Sequence, residues 1–377
     1  MKTLFQFTFA ALLLSSTSLF AQVEAEVSST DPVEAPAAEK EAEEDDEGAL
    51  QMSGFVDAYY QNIFTKDASD NSLGFPTSFT PEDGGFSVGM VNLLLEKAVG
   101  KVGFVGQVGF GPRANDANGA FPNLQQLYVT YSPSDAVTFT MGQFGTFVGY
   151  EVIDAPVNVN YSTSYLFSYG PFFHTGLKAD FAIAEGFGAM VGVFNNTDSR
   201  FNAPGYYFGG QLSAEVGGLA AYLNVLTGTD EQDVVGDEDA TTFQVDLTAT
   251  YQVSESFMLG LNASDKSTSL DGNSGDGFTG VAVYVTAGLS DNFSLNLRAE
   301  SFSEKAPEGI IIDGRSVFAI TASGNITLGD SFVLIPEVRF DSSGDFATTH
   351  SGGIIDFGGA DEDDSIASFI LAGVYSF

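Results

Sequence analysis

Apolar and polar residues alternate with a period of two along most of the chain. Phe243, Val245, Leu247, Ala249 and Tyr251 alternate with Gln244, Asp246, Thr248 and Thr250. Phe293, Leu295, Leu297 and Ala299 alternate with Ser294, Asn296, Arg298 and Glu300. Phe332, Leu334, Val338 and Phe340 alternate with Val333, Ile335, Glu337 and Arg339. Neighbouring side chains of a strand point to opposite faces, so these are strands with one apolar face and one largely polar face. Sixteen such segments can be placed, near 54–63, 86–97, 101–111, 122–132, 137–146, 172–183, 187–195, 205–216, 219–227, 241–252, 256–265, 278–288, 292–302, 316–327, 331–341 and 365–377. Boundary errors of a few residues leave the count at about 16, between 14 and 18.

The connections alternate as well. Short ones carry turn residues, as in Ser132-Pro133-Ser134-Asp135, Ala184-Glu185-Gly186 and Leu328-Gly329-Asp330. Long ones fall between them, at 64–85, 112–121, 147–171, 228–240, 266–277, 303–315 and 342–364, with 196–204 intermediate. A soluble sandwich has no reason to sort its loops in this way. A transmembrane antiparallel up-and-down β-barrel does, with short periplasmic turns and long external loops. The fold class expected is therefore all-β, with one barrel over 51–377. The end of the chain, Phe369 to Phe377, places Tyr375 and Phe377 at alternate positions, which looks like the signal read by the barrel-assembly machinery.

The N-terminus reads as an export signal. Lys2 supplies the positive start, Leu4 to Leu14 is almost wholly apolar, and Ala21 precedes Gln22, so residues 1–21 are expected to be cleaved. Downstream, no apolar run approaches the 18 or so residues of a membrane helix. Residues 22–50 hold eleven acids and one base, Lys40. Self-repulsion and few large apolar residues point to an acidic disordered periplasmic spacer, with a cation- or partner-binding tail as the alternative.

Composition narrows the function. The formal net charge is −37, the chain has no Cys, and only 17% of residues are charged. Without cysteine there is no disulfide and no Cys-ligated metal site. So acidic a chain repels phosphate backbones, which excludes nucleic acid as a partner. An apolar share of 44%, with 13% aromatic, is too high for a disordered chain. In hydrocarbon every backbone amide must be paired internally, so the sheet has to close. Aromatics near strand ends (Tyr59, Tyr60, Tyr131, Phe139, Phe173, Tyr206 and Tyr207 among them) suit girdles at the two interfaces.

About sixteen strands leave room for an aqueous lumen. The connection 147–171 is more apolar and aromatic than an exposed loop should be. In general porins the third external loop often folds inward. Here that predicts a constriction involving Tyr150, Glu151, Asp154, Asn158, Asn160 and Tyr161; an external cap or trimer contact is the alternative. Strand parity points Asp57, Glu96, Gln107, His174, Lys178, Asp180, Gln211, Glu215, Gln244, Asp246, Asn262, Asn296, Arg298, Glu300, Glu337 and Arg339 into the lumen. Rings of acid favour cations, so weak cation selectivity is expected, with Glu151 and Asp154 near the narrowest point. Lys178, Arg298 and Arg339 oppose this and are also readable as a basic ladder facing acids across the lumen.

The run Met141-Gly142-Gln143-Phe144, then Gly149 to Pro156, Asn160-Tyr161-Ser162 and Phe173-His174-Thr175-Gly176 resembles the putative β-barrel porin-2, or OmpL-like, family. Gly54 to Tyr60 and Leu93 to Lys97 fit its pattern too, so the likeness is specific over about 51–200. It implies an outer-membrane porin of a Gram-negative cell envelope, for passive diffusion of small hydrophilic solutes and ions. Where family members often carry Trp in the Asn-x-Asn-Tyr-Ser stretch this chain has Val159, which puts a specific solute site in doubt.

Enzyme readings are weak, because His174 and His350 are the only histidines and neither has a sequence context for nucleophilic catalysis. No cofactor is expected. The acidic clusters Asp230, Glu231, Asp233, Asp237, Glu238, Asp239 and Asp361 to Asp364 read as a solvated rim. Ca2+ or Mg2+ bridging lipopolysaccharide is the lesser reading there. Expected partners are outer-membrane lipid and lipopolysaccharide, the assembly machinery, small solutes and, by the habit of sixteen-stranded porins, a homotrimer. The competing function is a structural or adhesive barrel with a closed lumen and partner-binding loops.

Overall fold

Every strand of the main sheet is paired on both sides, and the sheet closes on itself as a sixteen-stranded antiparallel barrel. The structure is a computed structural model, described over residues 48–64, 77–80, 84–119, 121–201, 205–231, 239–270, 273–305, 316–343, 347–348, 355–356 and 365–377. The expected signal segment, nearly all of the acidic segment, His350 and the side chains of the two acidic clusters lie outside the described residues.

The first eight strands are β1 (Gln51–Ile63), β2 (Gly85–Val99), β3 (Val102–Phe110), β4 (Leu124–Ser134), β5 (Val137–Gly145), β6 (Phe173–Ala184), β7 (Phe187–Phe194) and β8 (Tyr207–Val216). There follow β9 (Leu219–Glu231), β10 (Asp239–Ser254), β11 (Phe257–Leu270), β12 (Asn273–Ser290), β13 (Phe293–Lys305), β14 (Ser316–Leu328) and β15 (Phe332–Ser343). A separate two-residue hairpin, β16 (Ala347–Thr348) with β17 (Ile355–Asp356), precedes the closing strand β18 (Ser365–Ser376). β18 pairs with β15 on one side and β1 on the other, with Ala372 opposite both Ile335 and Tyr59. The last residues complete the seam, since Phe377 N donates to Gly54 O and Gly54 N to Phe377 O, both at 3.0 Å. A closed ladder leaves no strand edge to be satisfied in hydrocarbon.

Parity sorts the faces as the alternation requires. Leu127, Val129, Met141, Leu247, Val283, Leu297 and Ile320 stand exposed on the outside, while the residues between them turn into the bore. Gly142 interrupts β5 with φ 135, and a Cβ there would meet Leu127 O at 2.2 Å. Only glycine fits that close approach, which lets Gln143 and Phe144 both lie buried.

Three expectations change. The 266–277 connection is not a long loop, because β11 runs on to Leu270 and β12 begins at Asn273, the two still paired with each other. Its Ser/Thr/Gly-rich flanks lack an apolar face and so resemble a loop, yet a strand standing clear of the apolar band needs none. Tyr59, Phe173 and Tyr207 are not girdle residues, since they are buried inside the barrel. Finally, 112–121 contains a short helix, α1 (Pro112–Asn118), which also turns inward.

Candidate functional site

The segment between β5 and β6 does not leave the barrel. It carries a 3-10 turn (Ala155–Val157) and a short helix, α2 (Tyr165–Tyr169), whose N-cap Ser164 Oγ accepts from Phe167 N at 3.0 Å. Its contacts are with inward side chains at mid-strand, which places it within the bore. At its start Gly149, at φ +96, donates its N–H to Asp246 of β10 at 3.0 Å. Tyr150 stacks on Tyr284 of β12, with centroids 4.3 Å apart and planes 18° apart. Asp154 accepts from Gln107 of β3 at 2.8 Å and Gln125 of β4 at 2.6 Å. Burial raises the Asp154 carboxyl above the ordinary aspartate range, against the opposing pull of those two amides and of Arg113. Asn158 braces the loop internally, donating to Val152 O and accepting from Val152 N. Asn160 donates to Ser323 of β14 at 2.8 Å.

Between Tyr161 and Leu166 the wall holds the loop by its backbone. Glu337 of β15 accepts the N–H groups of Tyr161 and Ser162, at 2.7 and 3.1 Å. Glu300 of β13 accepts those of Tyr165 and Leu166, at 2.9 and 2.7 Å. Glu151, from the start of the loop itself, accepts that of Ser164 at 2.6 Å. Carbonyls are met from the same side: Arg298 donates to Ser162 O and Thr163 O, and Arg339 to Thr163 O. The charges compensate one another, with Arg298 2.6 Å from Glu151 and Arg339 2.9 Å from Asp341. A peptide buried without such partners would leave donors and acceptors unmade, and bonds to ionised groups are the stronger kind.

A second anchor comes from α1. Arg113 is fully buried, 3.5 Å from Asp57 of β1, with its guanidinium 5.0 Å from the ring centroids of both Phe79 and Tyr161. The Tyr161 hydroxyl donates to Asp57 at 2.6 Å. Around these polar ties three apolar clusters fill the bore, centred on Tyr161 with Ile335 and Ile370, on Leu166 with Phe302 and Tyr284, and on Phe144 with Phe194 and Tyr207.

The lumen residues read from parity almost all point inward. Asp57, Gln107, His174, Asp180, Gln244, Asp246, Asn262, Asn296, Arg298, Glu300, Glu337 and Arg339 are buried, and Glu96, Lys178 and Gln211 are half-buried. Glu215 is exposed near the short-turn rim, where it accepts from Tyr222. The basic residues do not face acids across open water: Arg298, Arg339 and Lys178 each touch an acid directly, Lys178 reaching Asp180 at 3.0 Å. Glu151 is likewise committed to Arg298. His174 bonds Thr146 Oγ1 at 3.0 Å between the rings of Phe147 and Phe194. Val159 packs half-buried on the Leu166 cluster, its carbonyl accepting from Ser323 and Asn325. Phe377 and Tyr375 are exposed at the end of the closing strand.

Sequence reasoning missed Arg113, Gln125, Asn224 and Asp341. Asp341 continues the Glu337, Arg339 parity, and Asn224 lies on the inward parity of β9, so both were readable. Nothing local marks Arg113 as inward.

The family described as "Putative beta-barrel porin-2, OmpL-like" matches residues 49–377. No curated protein matches. Among solved structures, an anion-selective porin from Comamonas acidovorans has TM-score 0.60 at 16% identity, covering 88% of this chain and 100% of that one. The outer membrane channel DcaP of Acinetobacter baumannii has TM-score 0.59 at 14% identity, covering 88% and 97%. OmpT, an outer membrane protein of Vibrio cholerae, has TM-score 0.57 at 12% identity, covering 89% and 100%. At such identities the likeness is one of fold.

Proposed function

The chain belongs to the putative beta-barrel porin-2, OmpL-like family, and from that membership we propose an outer-membrane channel for passive diffusion of small hydrophilic solutes and ions, with weak cation preference. On this reading the chain carries an export signal, lies in the outer membrane of a Gram-negative bacterium with its short turns in the periplasm, and is inserted through the signal ending in Tyr375 and Phe377. Lipopolysaccharide surrounds it, and the apolar outer face permits association in trimers. The observation that carries the proposal is the loop 147–171 laid across the bore and tied to strands around the wall. Tyr150, Glu151, Asp154, Asn158, Asn160 and Tyr161 all belong to this constriction. The cation preference is supported by a surplus of acids (Asp57, Glu151, Asp154, Asp246, Glu300, Glu337 and Asp341) over Arg113, Arg298 and Arg339 in the filled region.

Single-channel recording of the refolded protein in planar bilayers under a KCl gradient tests this. Stepwise openings with a reversal potential biased to K+ are expected; an anion bias would remove the selectivity. A second reading, a structural or adhesive barrel with a closed lumen, is favoured by the near-complete burial of Arg298 and Glu337 beneath the loop and of Tyr161 within it. A folded barrel that never opens would select it.

A further inference from the structure

The loop does not seal the bore evenly. Where Val148–Gly149 and Leu166–Pro171 face β10 and β11 a small gap remains, with a volume of about 10 Å³, room for about one water molecule. The wall of the gap is Gln244, Asp246, Asn262 and Ser264. Gln244 donates to Ser264, and Asn262 and Asn224 donate to Asp246 at 2.7 and 2.9 Å. Every bond made to Asp246 comes from a neutral donor, and none of the ion pairs among the described residues includes it. Four of the other inward acids are different: Asp57, Glu151, Asp180 and Asp341 each have a basic partner. Glu300 and Glu337 are turned onto the loop backbone and do not line the gap.

We propose that this gap is the passage through the constriction and that Asp246, which lines it where Glu151 and Asp154 do not, sets its selectivity: small cations pass and anions are turned back. An uncompensated carboxylate in a narrow, low-dielectric opening attracts cations at close range. Amides and a hydroxyl beside it replace water around the passing ion. The proposal rests on the channel reading and deepens it.

The chain has no cysteine, so one introduced thiol is chemically unique. Ser264→Cys, refolded and recorded in planar bilayers, is treated with methanethiosulfonate reagents carrying ethylammonium or ethylsulfonate. Ethylammonium is expected to lower the K+/Cl− permeability ratio several-fold and reduce the current, while ethylsulfonate keeps the K+ preference. Ser213→Cys, inward on β8 near the short-turn rim and not among the residues lining the gap, is expected to label with a change below about twofold. If wild type conducts but Ser264→Cys stays unlabelled, or labels without effect, the passage lies elsewhere and the channel reading stands. If wild type does not conduct, the channel reading fails and this inference falls with it. Should Ser264→Cys not fold, Gln244→Cys gives the same readout from the opposite side of the same bond.

Discussion

The two terminal nitrogens of Arg298 serve a carboxylate, two loop carbonyls and Thr321 at once. Arg298→Met keeps much of the side-chain volume but removes all of these donors, and leaves Glu151 buried beside Ser164 without its counter-charge. Breaking one partner of a buried pair costs about 3–5 kcal/mol. The barrel ladder is independent of this pair, so the cost is expected to fall on the loop. Limited proteolysis should cut within 147–171 in Arg298→Met and not in wild type, with the sixteen-stranded sheet unchanged by circular dichroism. Uncut loop in the variant would mean that the apolar clusters alone hold it. At this scale the sequence was partly legible. Strand parity points Arg298, Glu300, Glu337 and Arg339 inward without any structure. It does not reveal that Glu151, 147 residues upstream of Arg298, is its partner, because a loop has no periodicity from which to read depth or direction.

The strands are the most legible elements, and for a physical reason. A bilayer outside and a polar bore inside impose opposite requirements on alternate residues, so the pattern is written into nearly every strand. Legibility ends where that contrast ends. The outer parts of β11 and β12, Lys266 to Leu270 and Asn273 to Gly277, are paired strand yet carry no apolar face. Inward aromatics such as Tyr59 and Tyr207 mislead for the opposite reason, since a filled bore buries apolar side chains as well as hydrocarbon does. The outward face makes its own prediction. Leu247 lies near the middle of β10 on the exposed side. Leu247→Arg should cost about 2–4 kcal/mol if it sits at the bilayer midplane. The same change at Ser213, an inward, half-buried position on β8 near the short-turn rim, should cost far less. Unfolding midpoints in urea from lipid vesicles compare the two; equal losses would contradict the assignment of faces.

Taken as a whole, the molecule combines a strongly acidic chain with an interior whose arginines are already occupied. Its long-range field is therefore that of its surplus carboxylates, and ions in solution screen such a field. The Debye length falls from about 10 Å at 0.1 M salt to about 3 Å at 1 M. The K+/Cl− permeability ratio is expected to decline towards unity as KCl is raised over that range. A part fixed at short range by Asp246 should persist. A ratio that does not move with salt would assign all selectivity to the narrow gap.

The wall grips the loop chiefly through peptide groups from Tyr161 to Leu166, with Arg298 also reaching Ser162 Oγ at 3.3 Å. Peptide groups are common to nearly all amino acids, so these ties do not depend on side-chain identity, although the buried Ser162, Thr163 and Ser164 leave room only for small residues. Proline is the exception, because it lacks the N–H that Glu337, Glu151 and Glu300 require. The inherited constraint therefore falls on the socket more than on the insert. Such a barrel can exchange the chemistry lining its passage over evolutionary time while its scaffold stays as it is, and a designer can do the same by grafting loops of equal length.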